Sequence, residues 1–155
     1  MAETIADRLG RLGIALPALA APVANYLPWS LEGNLLFVSG QLPLAEGKVA
    51  VRGKLGGSVS VEDGRRAARL CAINILAQAQ AALGDLERVR AIVRIGVFVA
   101  SAPEFVEQHV VANGASDLLV EVLGDAGRHA RAAVGMSALP LDAAVEVEAV
   151  IAVAP

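Results

Sequence analysis

The stretch Ala130-Arg131-Ala132-Ala133-Val134-Gly135-Met136, followed by Leu139-Pro140 and then by Val145-Glu146-Val147-Glu148-Ala149, decides how this chain folds. At strand period, Arg131 and Ala133 face one way while Ala130, Ala132, Val134 and Met136 face the other; Glu146 and Glu148 oppose Val145, Val147, Ala149 and Ile151. The pattern predicts two strands with one apolar side, the other side holding a guanidinium and two carboxylates among small residues. A face so sparse does not suit hydrophobic packing, and it reads as the wall of an anion-binding cleft.

Upstream, Val89, Ala91, Val93, Ile95, Val97 and Val99 alternate with Arg90, Arg94, Gly96 and Phe98, which predicts a long strand with its odd row inward. Two helical patterns flank it. Ser60-Val61-Glu62-Asp63 is a capping-box signature opening a long, largely buried helix that stops at Gly84, and a second helix over about 110–123 stops at Gly124. Nearer the start, residues 25–30 and 34–39 read as a hairpin around Glu32-Gly33-Asn34. A short third strand over 49–52 follows a turn at Glu46-Gly47-Lys48. Ile5, Leu9, Leu12 and Ile14 mark a short amphipathic helix, followed by a linker from Pro17 to Pro22.

Three strands whose apolar rows are covered from one side by two helices make a two-layer α+β sandwich. The uncovered face carries Arg90, Arg94, Arg131, Glu146 and Glu148 amid Gly and Ala, and a second copy of the same sheet is expected to close it, placing clefts between subunits. The 155 residues are read as one domain, 1–155, with 1–20 as an N-terminal helical extension.

Composition narrows the functional classes. The chain is 55% apolar with a formal charge of −3, and its aromatics are Tyr26, Trp29 and three Phe, so it offers neither a basic field nor a stacking platform for nucleic acid. No apolar run is long enough to span a membrane, and the charged amphipathic N-terminus lacks a signal-peptide core, so a cytoplasmic location is expected. Cys71 falls in a helical apolar pattern and reads as a small buried hydrophobe. His109 and His129 fit no metal-ligand spacing, and Gly56-Gly57 lacks the context of a phosphate cradle; no metal and no cofactor are expected.

The run A-R-x-x-V-x-M-x-x-L-P-x-x-x-x-V-E-V-E-A from Ala130 to Ala149, with Gly33-Asn34 and Ser39-Gly40-Gln41, resembles the RidA/YjgF family. The resemblance spans about residues 21–153. It implies a chorismate-mutase-like α+β sandwich with a mixed sheet, assembled as a homotrimer with three intersubunit clefts. It also implies hydrolytic deamination of 2-imino and 2-enamino acids to a 2-oxo acid and ammonia. By motif, Arg131 becomes the substrate-carboxylate anchor and Glu146 the residue that positions or activates water; Tyr26, Ser39, Gly40 and Asn113 complete the cleft. The position two after the arginine, a cysteine in some deaminating members, is Ala133 here. The segment between Phe105 and Asn113 is longer than in the short members, and the N-terminal helix is extra.

The chemistry suits these residue types. An imine carbon is electrophilic once its nitrogen is protonated, so positioning supplies much of the acceleration. Arg131 can grip a carboxylate through two parallel bonds, and Glu146 can hold a water and pass a proton to the leaving ammonia. On periodicity alone the same two residues read first as a cross-strand or intersubunit ion pair, and it is the family resemblance that turns the reading toward a site, for Arg131 more than for Glu146. Glu148, Arg90 and Arg94 read as structural. No motif supplies Ser39 with a base, so its backbone is the expected contributor; Asn113 before Gly114 reads as a cap or turn except through the family match. His129 shares strand parity with Arg131, which allows a supporting role. Two other functions fit the family: a non-catalytic trimer that binds small carboxylates, and a ribonuclease, which the acidic charge argues against.

Overall fold

The computed structural model describes residues 1–19 and 24–155; the linker expected over Pro17–Pro22 therefore lies partly outside the described residues. Strands β1 (Trp29–Glu32), β2 (Leu35–Gln41), β5 (Val89–Ala100), β6 (Ala130–Met136) and β7 (Val145–Val153) form one sheet in the order β1-β2-β7-β5-β6. Only β5 and β6 run parallel, so the sheet is mixed. A parallel pair needs a crossover, and helix α3 (Gln108–Leu123) supplies it. β3 (Leu44–Ala45) and β4 (Lys48–Val49) make a separate small hairpin around Glu46-Gly47, in place of the expected third strand over 49–52.

The hairpin of β1 and β2 turns at Gly33-Asn34, with Glu32 paired to Leu35. Gly33 has φ 59°, the left-handed geometry that a two-residue turn of this kind asks of its first position. Central β7 alternates as read: Val145, Val147, Ala149, Ile151 and Val153 are buried, and the residues between them are half-buried on the other face. Helix α2 (Val61–Leu83) and α3 cover the first row, α2 contributing Ala67, Ala68, Cys71, Ala72, Ile75, Leu76 and Ala79 to the core. Alanine and glycine let the two helices cross closely, and a Cβ at Gly114 would collide with the backbone carbonyl of Arg65. At the start of α2, Ser60 Oγ accepts from Asp63 N at 3.1 Å. The reciprocal capping box is instead found at α1 (Ile5–Arg11), between Thr4 and Asp7.

Two register features correct the sequence reading. In β5 the odd row is inward at Ile95, Val97 and Val99, but shifts between Val89/Ala91 and Ile92/Arg94 place Ile92 inside and leave Val93 exposed. A bulge inserts a residue and flips parity, which alternation cannot anticipate. The second correction concerns β6. Arg131 pairs with Ile95 and Ala133 with Val97, and these partners point at the helices, so Arg131 and Ala133 lie on the helix-covered side. Ala132, Val134 and Met136 join the open face beside Gly96 and Phe98. Arg131 therefore does not share a face with Glu146 and Glu148. Strand parity says which residues face together, not which row the helices cover. At this edge the open row is itself apolar, which made it resemble a core row.

The N-terminal segment docks on the helical layer. Ile5 and Leu9 enter the core, Arg8 Nη1 donates to Val122 O at 3.2 Å, and Ile5 N donates to Glu87 Oε1 at 2.7 Å. Among the described residues no helix is long and apolar enough to cross a membrane.

Candidate functional site

The expected site residues fall into two groups on different parts of the chain. The first gathers around Arg131 at the edge of the sheet. Its Nη1 donates to Asn113 Oδ1 at 2.9 Å and to Ser116 Oγ at 3.0 Å, and its Nη2 donates to His109 O at 3.0 Å. Asn113 lies inside α3 rather than at its cap, and Ser116, three residues on, shares its helix face. A guanidinium carries five N–H donors, and three are committed here to neutral acceptors. Among the described residues, Nε–H and one Nη2–H are left without an acceptor, on adjacent nitrogens. Among the described residues no carboxylate lies within ion-pair distance of Arg131, so the cross-strand form of the alternative ion pair with Glu146 is absent from the single chain.

Behind Arg131 the network continues. His129 Nδ1 is 2.6 Å from Gly127 O, and a carbonyl can only accept, so that nitrogen carries a hydrogen. Its Nε2 lies 2.9 Å from Ser116 Oγ. With a neutral ring, Nε2 accepts the serine hydrogen and the hydroxyl keeps its lone pairs for Arg131. Ser116 was not singled out from the sequence. The i, i+3 spacing from Asn113 was the signal available.

The second group lies around the β2–β7 contact. Between Val38 and Gln41 the register of β2 shifts against β7, creating a bulge that contains Ser39 and Gly40. The carboxyl of Glu146 fills the space beside Gly40 where any larger residue would place its Cβ. Burial, and next the charge of Glu148, raise the Glu146 pKa above the usual carboxylate value. Glu148 itself pairs with Arg94 at 3.5 Å, as a structural reading of both expects. Ser39 Oγ donates to Leu27 O at 2.7 Å, and its backbone is engaged as well, N donating to Pro28 O at 3.0 Å and O accepting from Gln41 Nε2 at 2.9 Å. Exposed Tyr26 and Gly40 line a groove of about 370 Å³ with Gln41, Asn74 and Gln78. Cys71 is buried, and burial, then the Glu146 charge, push its thiol pKa well above its normal value; it is not a nucleophile.

The two groups do not meet within one chain. Arg131 and Glu146 sit two strands apart, roughly 10 Å across the sheet, and on opposite faces of it. A single small molecule therefore cannot touch both residues of one copy.

A family profile described as "YjgF/chorismate mutase-like, putative endoribonuclease" matches residues 6–152. The chain belongs to the YjgF/chorismate mutase-like family. Protein TCP17 of Trypanosoma cruzi is 53% identical to this YjgF-type chain over 148 residues, covering 95% of this chain and 92% of that protein. A solved protein of unknown function from Agrobacterium tumefaciens is 55% identical, covers 97% of this chain and 92% of its own, and superposes with a TM-score of 0.91. RidA from the Antarctic bacterium Psychrobacter sp. PAMC 21119 is 26% identical, with 86% and 92% coverage and a TM-score of 0.60. The two solved relatives share the α+β sandwich and mixed sheet of this YjgF-type fold.

Proposed function

We propose that this protein is a hydrolytic deaminase of reactive 2-imino and 2-enamino acids, acting in clefts between the subunits of a homotrimer. The observation that carries the reading is Arg131: its guanidinium is oriented by three neutral acceptors, is not paired with a carboxylate, and keeps hydrogens on two adjacent nitrogens. That is the donor set a substrate carboxylate matches with two parallel charge-assisted bonds.

Because Glu146 of the same chain is out of reach, the second half of the cleft comes from another copy, whose Glu146, Gly40 and Tyr26 face the imine carbon. Glu146 takes a proton from a water whose oxygen adds to C2. From the protonated imine this gives a carbinolamine. Glu146 returns the proton to the carbinolamine nitrogen and takes up the hydroxyl proton as C=O forms and the C–N bond breaks. Ammonia and the 2-oxo acid leave, and the last proton passes from Glu146 to solvent. A raised Glu146 pKa, nearer the working pH, suits a group that both accepts and returns a proton.

A binding-only role for small carboxylates draws support from Ala133, which packs against the core and offers no side-chain chemistry to the cleft. One measurement separates the readings. Ammonia release from freshly generated 2-iminobutyrate is expected to accelerate with the wild-type protein, and Arg131→Ala is expected to lower kcat/KM about 100-fold, the scale of a lost bidentate charge-assisted contact. Saturable 2-oxobutyrate binding without turnover would select the binding-only role. Undiminished activity in Arg131→Ala would refute the anchor.

A further inference from the structure

We propose that Ser116 and His129 are positioning residues that set the orientation of the Arg131 guanidinium through a directed chain of hydrogen bonds from Gly127 O; the inference deepens the carboxylate-anchor reading and rests on it. The chain begins at a fixed carbonyl. Gly127 closes the 3-10 turn Gly124–Gly127 so tightly on α3 that a Cβ there would collide with Leu119 O, and its own carbonyl takes the Nδ1 hydrogen of His129 at 2.6 Å. With the ring neutral, that bond fixes its tautomer and makes Nε2 an acceptor.

Nε2 in turn decides what Ser116 does. A serine inside a helix can turn its hydroxyl hydrogen back onto the carbonyl four residues earlier, here that of Ala112, or toward any other acceptor. The His129 nitrogen at 2.9 Å draws that hydrogen away, so a lone pair of Oγ is presented to Arg131 Nη1 at 3.0 Å. Every step has one direction: Arg131 donates to Ser116, Ser116 to His129, and His129 to Gly127. With Asn113 Oδ1 and His109 O as the other two acceptors, three points define the plane of the guanidinium. Its free Nε–H and Nη2–H are thereby held at a set angle before any ligand arrives. The chain supplies preorganisation of the anchor, since a freely rotating arginine would lose entropy on binding.

Two substitutions of His129 separate this role from a merely structural pin. Asn places its amide nitrogen where Nδ1 stood and keeps the bond to Gly127, but gives Ser116 no acceptor. Gln does the reverse: it reaches the Nε2 position with an acceptor for Ser116 and loses the bond to Gly127. The experiment combines 15N NMR of the Arg131 side chain with 2-oxobutyrate titration of the full-length protein. Restricted rotation about Nε–Cζ is expected in wild type and His129→Gln, and fast rotation in Ser116→Ala and His129→Asn. The latter pair should raise the 2-oxobutyrate Kd roughly tenfold, the size of one hydrogen bond to a charged group at a half-exposed site, while His129→Gln stays within about twofold of wild type.

Fast rotation in the wild type, or wild-type behaviour in His129→Asn with loss in His129→Gln, overturns the proposal. Should the expected NMR pattern appear while the wild type fails to bind 2-oxobutyrate, the carboxylate-anchor reading falls and the restraint on Arg131 stands.

Discussion

Glu146 and Gly40 show a local conflict between stability and use. The Glu146 carboxyl is half-buried beside a backbone with no Cβ, and burial together with Glu148 makes its charged form unfavourable. Because the folded pKa lies above the unfolded value, near 4.5, the folded state binds the proton more tightly. The stability contributed by this group is complete below that value and is lost as pH rises through the raised folded pKa. Glu146→Gln should therefore melt at a higher temperature than wild type at pH 7, the difference closing near pH 4, while deaminase turnover falls. Thermal melts across that range check the sign, and equal melting curves at pH 7 would refute it. Gly40→Ala is a companion case. The colliding atom is the end of a flexible side chain, so the fold should lose no more than about 1 kcal/mol, but the displaced carboxyl should cost turnover, read by urea melts beside kinetics. Residue type and motif single out Arg131, Glu146 and Gly40 as the residues on which the proposed site is built. They miss Ser116 because a helix-interior serine carries no mark of its own until a histidine from another element meets it.

Among the elements, α1 tests whether the N-terminal extension belongs to the fold. Its capping box, the Arg8 bond to Val122 O and the buried Ile5 and Leu9 tie it to the end of α3. Leu9→Ala should destabilise the chain by about 2–3 kcal/mol, the usual cost of truncating a buried leucine. Urea unfolding is the measurement, and a change below about 0.5 kcal/mol would mean that α1 is an ornament. The helix ends at Gly84 and Gly124 and the β1–β2 hairpin were legible because capping and turn chemistry is local. The parity flip in β5 and the inward face of β6 were not. A bulge at Ile92/Arg94 leaves no compositional mark, and Val93 reads as inward by type although it is exposed. The face of β6 was fixed by pairing with Ile95 and Val97, a contact between elements separated by a whole helix.

For the whole molecule, the decisive feature is the sheet face that the helices leave bare. Phe37, Val134 and Met136 are each 37–44% exposed on it, across β2 and β6, with Phe98 and Val150 between them. A soluble chain rarely leaves so connected an apolar sheet face wet. The two half-sites give the same face a second reason to be covered, because Arg131 and Glu146 of one copy cannot reach a common ligand. The proposed trimer satisfies both requirements together, so assembly and ligand binding should fail together. Val134→Glu puts a charge where a second copy would desolvate it, at a cost of several kcal/mol, yet the position is open enough in the single chain for the fold to persist. Sedimentation velocity is expected to give three times the chain mass for wild type and the monomer mass for Val134→Glu. Circular dichroism should be unchanged, and 2-oxobutyrate binding should be lost although no cleft residue is altered. A wild-type monomer, or a Val134→Glu monomer that still binds with wild-type affinity, would show that one chain holds a complete site, contrary to the separation of Arg131 from Glu146 across the sheet.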